Sequence, residues 1–159
     1  MPGFDAATFR AVLGHFGSGI TVITAVDQGE PVGLTCQSFS SVSLEPPLVL
    51  FVAARASNSW PRIRHAGHFC ANVLGEDQEE LGRRFAIRGA DKFAGIGWRP
   101  GLTGAPLLDG CLAFVECELA AVHDGGDHDI VVGRVLDLGV ADEGNPLLFY
   151  RGGYGRFAV

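Results

Sequence analysis

Lysine is almost missing from this chain: Lys92 stands alone beside eleven arginines in 159 residues. Long apolar runs are missing too. The longest clean one, Leu48 to Ala54, is far too short to cross a bilayer. Nothing from Met1 to Arg10 combines a basic start with an apolar stretch, the pattern of a secretory leader. These absences imply a soluble, cytoplasmic protein without a membrane partner. Positive charge is in deficit, twelve basic residues against eighteen acidic for a net of −6, which makes nucleic acid an unfavourable partner. The four cysteines (Cys36, Cys70, Cys111, Cys117) form no CxxC pair, so they read as buried thiols and not as a metal site. No GxGxxG follows a strand pattern and no G-x-S-x-G is present, so neither a Rossmann nucleotide site nor a hydrolase elbow is signalled.

What remains is sufficient for a globular core. A chain of this length buries roughly 68–70% of its unfolded surface, and residues 1–159 read as one continuous domain without repeats or linkers. Asp5 to Phe16 has an acidic cap and apolar residues at helical spacing. Ile20 to Val26 is β-branched and reads as a strand, followed by a turn at Asp27–Pro31 and a second strand from Val32. Further strands are expected at Leu48–Ala54, Phe69–Leu74, Cys111–His123, Ile130–Val140 and Leu147–Tyr150. Short helices are expected at Ser57–His65, with Pro61 in the first turn, and at Glu76–Phe85, with acidic residues first and Arg83-Arg84 last. Residues 89–109 read as mostly loop. Some seven short strands with about three short helices indicate an antiparallel barrel or sandwich.

Five stretches carry possible chemistry. Thr35, Ser38, Ser40, Ser41 and Ser43 crowd hydroxyls around Cys36 and Gln37 before Pro46-Pro47, suited to the polar edge of a flat heterocycle or to a solvent-wetted edge strand. Ser57-Asn58-Ser59 opens a helix, as a phosphate seat or as ordinary capping residues. Lys92, beside Phe93, offers a point charge to a phosphate or merely a solvated loop cation. His128 follows Gly126-Asp127 in a turn, as a ligand contact or an idle turn histidine. The tail from Tyr150 to Phe157 sets Tyr154 and two arginines between glycines, to cover a ligand or to meet a second copy.

In this order the stretches resemble the short-chain flavin reductase family, the reductase components of two-component flavin-dependent monooxygenases. The resemblance rests on Gly33-Leu34-Thr35 through Glu45-Pro46-Pro47-Leu48, on Gly126-Asp127-His128-Asp129-Ile130 and on Tyr150-Arg151-Gly152-Gly153-Tyr154. It implies a mainly β fold, a split β-barrel of the Greek-key, FMN-binding type with a few short peripheral α-helices. It also implies a homodimer, FAD or FMN as the flavin, and NADH (with NADPH possible) as hydride donor. Reduced flavin would then diffuse to a separate monooxygenase. By resemblance Thr35, Cys36, Gln37, Ser38, Ser40 and Ser41 line the flavin ring and ribityl chain. Ser57, Ser59 and Lys92 approach phosphate, Asn58 between them belongs to the cofactor-binding set, Phe93 packs nearby, and His128 and Tyr154 face the nicotinamide. Cys36 and Gln37 depart from the smaller residues common in relatives, which bears on flavin preference. A flavin-bound ferric or other acceptor reductase, and a non-catalytic flavin-binding module, are the alternatives on the same scaffold.

Overall fold

A computed structural model describes residues 3–89, 91–141 and 143–158. Its twelve strands follow the β-branched and alternating segments of the chain. Seven of them form one antiparallel sheet: β2 (Thr21–Asp27), β3 (Glu30–Cys36), β4 (Ser40–Ser43), β5 (Leu48–Ala54), β6 (His68–Val73), β9 (Ala113–Gly125) and β10 (His128–Val140). Their order is β3-β2-β6-β9-β10-β5-β4. β9 and β10 are thirteen residues each, longer than the expected short strands, and register shifts at Val132/Gly133 and Val135/Asp137 bend the hairpin.

The sheet is far from flat. Val32, Leu34 and Cys36 from β3 share a core with Val49, Phe51 and Ala53 from β5, although the two strands lie toward opposite ends of the order. The sheet therefore curls on itself into the expected split barrel, with a seam between β3 and β5 that no ladder closes. Phe51 fills the interior edge-on to Phe69 of β6, with ring centroids 5.0 Å apart.

Helix α2 (Trp60–Ala66) caps this interior with Trp60 and Ile63, both buried. Asp27 at the end of β2 ties it down, accepting from His65 Nδ1 at 2.6 Å and from Arg62 Nε at 3.5 Å. Helix α3 (Glu79–Phe85) lies on β3, with Glu79 and Glu80 in its first turn and Arg83 and Arg84 in its last. Its close approach requires Gly33, because a Cβ there would stand 2.8 Å from the Phe85 ring. Helix α1 (Ala6–Leu13) is capped by Asp5, which accepts from Thr8 N–H at 2.8 Å. Its Phe9, Val12 and Leu13 stay exposed.

Several expectations need correction. Both α2 and α3 begin three residues later than expected, because Ser57 and Gln78 spend their side chains on turns before the helices. Residues 89–109 contain a hairpin, β7 (Trp98–Pro100) with β8 (Pro106–Leu108). Buried Asn72 pins it, accepting from Leu108 N–H at 2.9 Å and donating to Pro106 O at 3.3 Å. Three short strands form a separate sheet: β1 (Ser18–Gly19), β11 (Leu147–Tyr150) and β12 (Gly153–Arg156). No helix among the described residues is long and apolar enough to cross a membrane.

Candidate active site

The seam between β3 and β5 is bridged by the side chains of Ser38 and Cys36, which both reach Val52. Ser38 Oγ accepts from Val52 N–H at 2.8 Å and donates to Val52 O at 3.2 Å. Beside this bridge a cavity of about 540 Å³ opens, a size typical of small-molecule sites. Leu34, Val52, Ala53 and Phe85 give it apolar walls. Residues 35–38, 57–59, 86–89, Lys92 and His128 bring polar groups around them.

Many of those polar groups are already committed. Thr35 Oγ1 donates to Gly82 O at 2.6 Å, so its hydroxyl fastens β3 to α3. Cys36 Sγ lies 2.9 Å from Ser38 Oγ and belongs to the bridge. Ser57 Oγ accepts from Ser59 N–H at 3.1 Å and Trp60 N–H at 3.2 Å, which is capping. Among the described residues its own O–H proton has no acceptor. Lys92 Nζ donates to Gly33 O at 3.1 Å, Phe85 O at 3.1 Å and Ser59 Oγ at 3.3 Å. Burial holds its pKa below the usual lysine value. Gln37 and Asn58 are exposed at the opening.

His128 stands at the start of β10, opposite Ala54 of β5. Its Nδ1 lies 2.7 Å from Asp127 Oδ1, and this hydrogen bond holds the Asp127 carboxyl below the usual range. An ionised carboxylate only accepts, so Nδ1 carries the proton and the ring is fixed in direction with Nε2 available. The tight turn before it needs Gly126, whose φ is +80°.

Comparison with known proteins gives this geometry its context. Residues 13–158 match the family model described as flavin reductase like domain. The chain belongs to the flavin reductase family. This flavin reductase is 53% identical over 152 residues to the flavin-dependent monooxygenase reductase subunit HsaB of Mycobacterium tuberculosis, spanning 94% of this chain and 81% of that one. Among solved structures it is similar to the nitrilotriacetate monooxygenase component B homolog of Mycobacterium thermoresistibile, with TM-score 0.93 and 51% identity, covering 96% and 86% of the two chains. The NADH:FAD oxidoreductase SgcE6 of Streptomyces globisporus is similar at TM-score 0.93 and 37% identity, covering 100% and 97%.

Within the flavin reductase, the residues singled out by sequence divide into two groups. Thr35, Cys36, Gln37, Ser38, Ser57, Asn58, Ser59, Lys92 and His128 line the seam cavity together. Ser40 and Ser41 do not; they lie exposed on edge strand β4, paired only with β5. Phe93 packs edge-on against Phe85, centroids 4.9 Å apart, outside the cavity lining. Tyr154 lies against Phe149 and under the Arg83 guanidinium, also outside the lining. Sequence reasoning missed Arg88, which lines the cavity and donates from Nη2 to Ala56 O. Its only signal was the local density of basic residues between Arg55 and Arg99.

Proposed function

We propose that this chain is an NAD(P)H:flavin oxidoreductase that moves hydride from NADH to FAD or FMN and supplies reduced flavin to a separate monooxygenase. The observation that carries this reading is the seam cavity, apolar along Leu34, Val52 and Ala53 and edged by polar groups, with His128 fixed at one side. That chemistry suits a flat, largely apolar heterocycle with a polar edge and an anionic tail. Bound flavin supplies the ring that accepts the hydride.

The chain's own task is alignment and exclusion of water. Residues 35–38, at the end of β3 and in the bend after it, hold the ring edge, and Ser38 keeps the seam at fixed width. Ser57 and Asn58 offer polar contacts to the chain beyond the ring. His128, oriented by Asp127, positions the nicotinamide through Nε2. No nucleophile or acid–base triad is required, in keeping with a site whose hydroxyls mostly brace the wall.

We also propose a cytoplasmic homodimer. Phe9, Val12 and Leu13 of α1, with Phe16 at 82% exposure, form an apolar face that a second copy would cover. Sedimentation of the protein with and without Phe16→Glu tests this: a monomeric parent would end the dimer reading.

The activity is tested by following 340 nm absorbance with purified protein, NADH, and FAD or FMN added in turn. Rapid loss of NADH that requires flavin is expected. Silence with both flavins and both nicotinamides would overturn the assignment.

A further inference from the structure

We propose, on the reading of the seam cavity as the flavin and nicotinamide site, that Asp129 is a positioning residue for His128. Asp129 lies outside the cavity lining. Through Trp60 and Arg55 it fixes the start of β10 against the segment that forms the other side of the opening.

His128 needs such an anchor because it is the first residue of β10, paired with Ala54 and Gly125 at the very end of the ladder. Asp127 aims the imidazole, but its own side chain is 95% exposed, so it fixes direction without fixing place. Successive side chains of a strand leave the sheet on opposite faces. Asp129 therefore points away from His128, to the same face as fully buried Val131.

A carboxylate buried there is tolerated only when its oxygens are met by donors. Oδ2 accepts from Trp60 Nε1 and Oδ1 from Arg55 Nε, while the Arg64 guanidinium stands 4.0 Å from Oδ2. Both donors are themselves held. Trp60 is buried edge-on to Phe51, centroids 5.9 Å apart, and its backbone N–H donates to Ser57 Oγ at 3.2 Å. Arg55 follows β5, donates its backbone N–H to Asp127 O at 3.0 Å, and reaches Asp124 at the end of β9 with Nη2. Asp124 Oδ1 also accepts from Gly126 N–H at 3.2 Å, inside the turn that precedes His128. One carboxylate thus joins the 57–59 turn, the end of β5 and the β9–β10 turn. An apolar side chain of similar size would fill the same space but would direct nothing.

A double-mutant cycle separates positioning from general stability. Steady-state kinetics with NADH at saturating flavin are measured for the parent, Asp129→Asn, Trp60→Phe, His128→Ala, and each of the first two changes combined with His128→Ala. All are assayed well below their melting temperatures. Asp129→Asn is expected to raise the apparent KM for NADH about twofold to fivefold with kcat within about twofold. Trp60→Phe keeps a ring but loses the donor, and should raise KM by a smaller factor. With His128 already replaced, either change should move KM by less than about 1.5-fold, because there is no imidazole left to place. An equal rise in both backgrounds overturns the proposal, since Asp129 would then act on the fold at large. An unchanged KM in Asp129→Asn, or a fall in kcat alone, overturns it as well. Trp60→Phe carries the same comparison if Asp129→Asn does not fold. A parent protein that oxidises no NADH with either flavin refutes the functional reading itself, a result distinct from all of these.

Discussion

The indole Nε1 of Trp60 donates to Asp129 Oδ2 at 2.9 Å, joining the first residue of α2 to the residue after His128. The other oxygen of Asp129 accepts from Arg55 Nε at 3.0 Å, and Arg55 N–H donates to Asp127 O at 3.0 Å. One carboxylate, 8% exposed, thus holds the 54–60 segment against the strand that presents His128. Both sides of the cavity opening are registered through it.

The Trp60 hydrogen bond, helped by Arg55, keeps the Asp129 carboxyl below the usual range. Asp27 and Asp127 are lowered likewise, chiefly by His65 and His128. A carboxylate depressed in the folded state adds stability that is complete above its unfolded pKa of about 3.9 and lost as pH falls through its folded value. Stability should therefore decline below about pH 4. Asp129→Asn is expected to lower the melting midpoint at pH 7 by roughly 3–6 °C and to flatten the acid decline. Thermal melts from neutral pH downward check this; parallel declines in both proteins would remove Asp129 from the acid response.

Glu116 is fully buried in β9, yet it faces no cation within hydrogen-bonding reach among the described residues. Leu102 N–H at 2.9 Å, Thr103 N–H at 3.0 Å and Thr103 Oγ1 at 2.8 Å all donate to it. Three donors converge on two oxygens, which fixes the 101–105 turn. Glu116→Gln replaces an accepting oxygen with an NH2 group that meets these donors head-on. The expected cost is roughly 2–4 kcal/mol, read from urea unfolding with an unchanged slope.

The burial of Glu116 also shows what the sequence conceals. Alternation along β9 separates Glu116 and Glu118 from the cysteine face, but nothing local says that the 101–105 turn folds over Glu116. Lys92 is similar: its acceptors come from positions 33, 59 and 85, brought together only when the sheet curls. Signals that act within one element were legible. Leu48–Ala54 matches β5 residue for residue, Asp5 caps α1, and charges at the ends of α3 follow its dipole. For the site, 35–38, 57–59 and 128 could be read as polar stretches that line one cavity. Ser40 and Ser41 lie beyond the turn that follows β3, where the chain leaves the seam for the sheet edge.

Gly33 sets how closely α3 approaches β3. A Cβ there would stand 2.8 Å from Phe85 Cε1 and 3.1 Å from Ile23 O. Gly33→Ala should cost roughly 1–3 kcal/mol and displace Phe85, a wall of the cavity. Adding Phe85→Leu should recover part of that cost, because the clash is with the ring edge. Urea unfolding of both variants checks the pair, and additive losses would place the strain at Ile23 O instead.

His128 offers the sharpest separation of positioning from chemistry. Its Nδ1 is held by Asp127 and its ring is half-buried, so Nε2 presents one directed polar contact to whatever occupies the opening. A contact made equally in the ground state and the transition state sets KM and leaves kcat alone. His128→Ala should therefore raise the apparent KM for NADH roughly threefold to tenfold while kcat stays within about twofold. Asp127→Asn keeps the imidazole but loosens its direction, so it should shift KM the same way by a smaller factor. Steady-state kinetics at saturating flavin measure both. A fall in kcat with KM unchanged would mean that the imidazole acts on the transition state, and that Asp127 orients a proton donor.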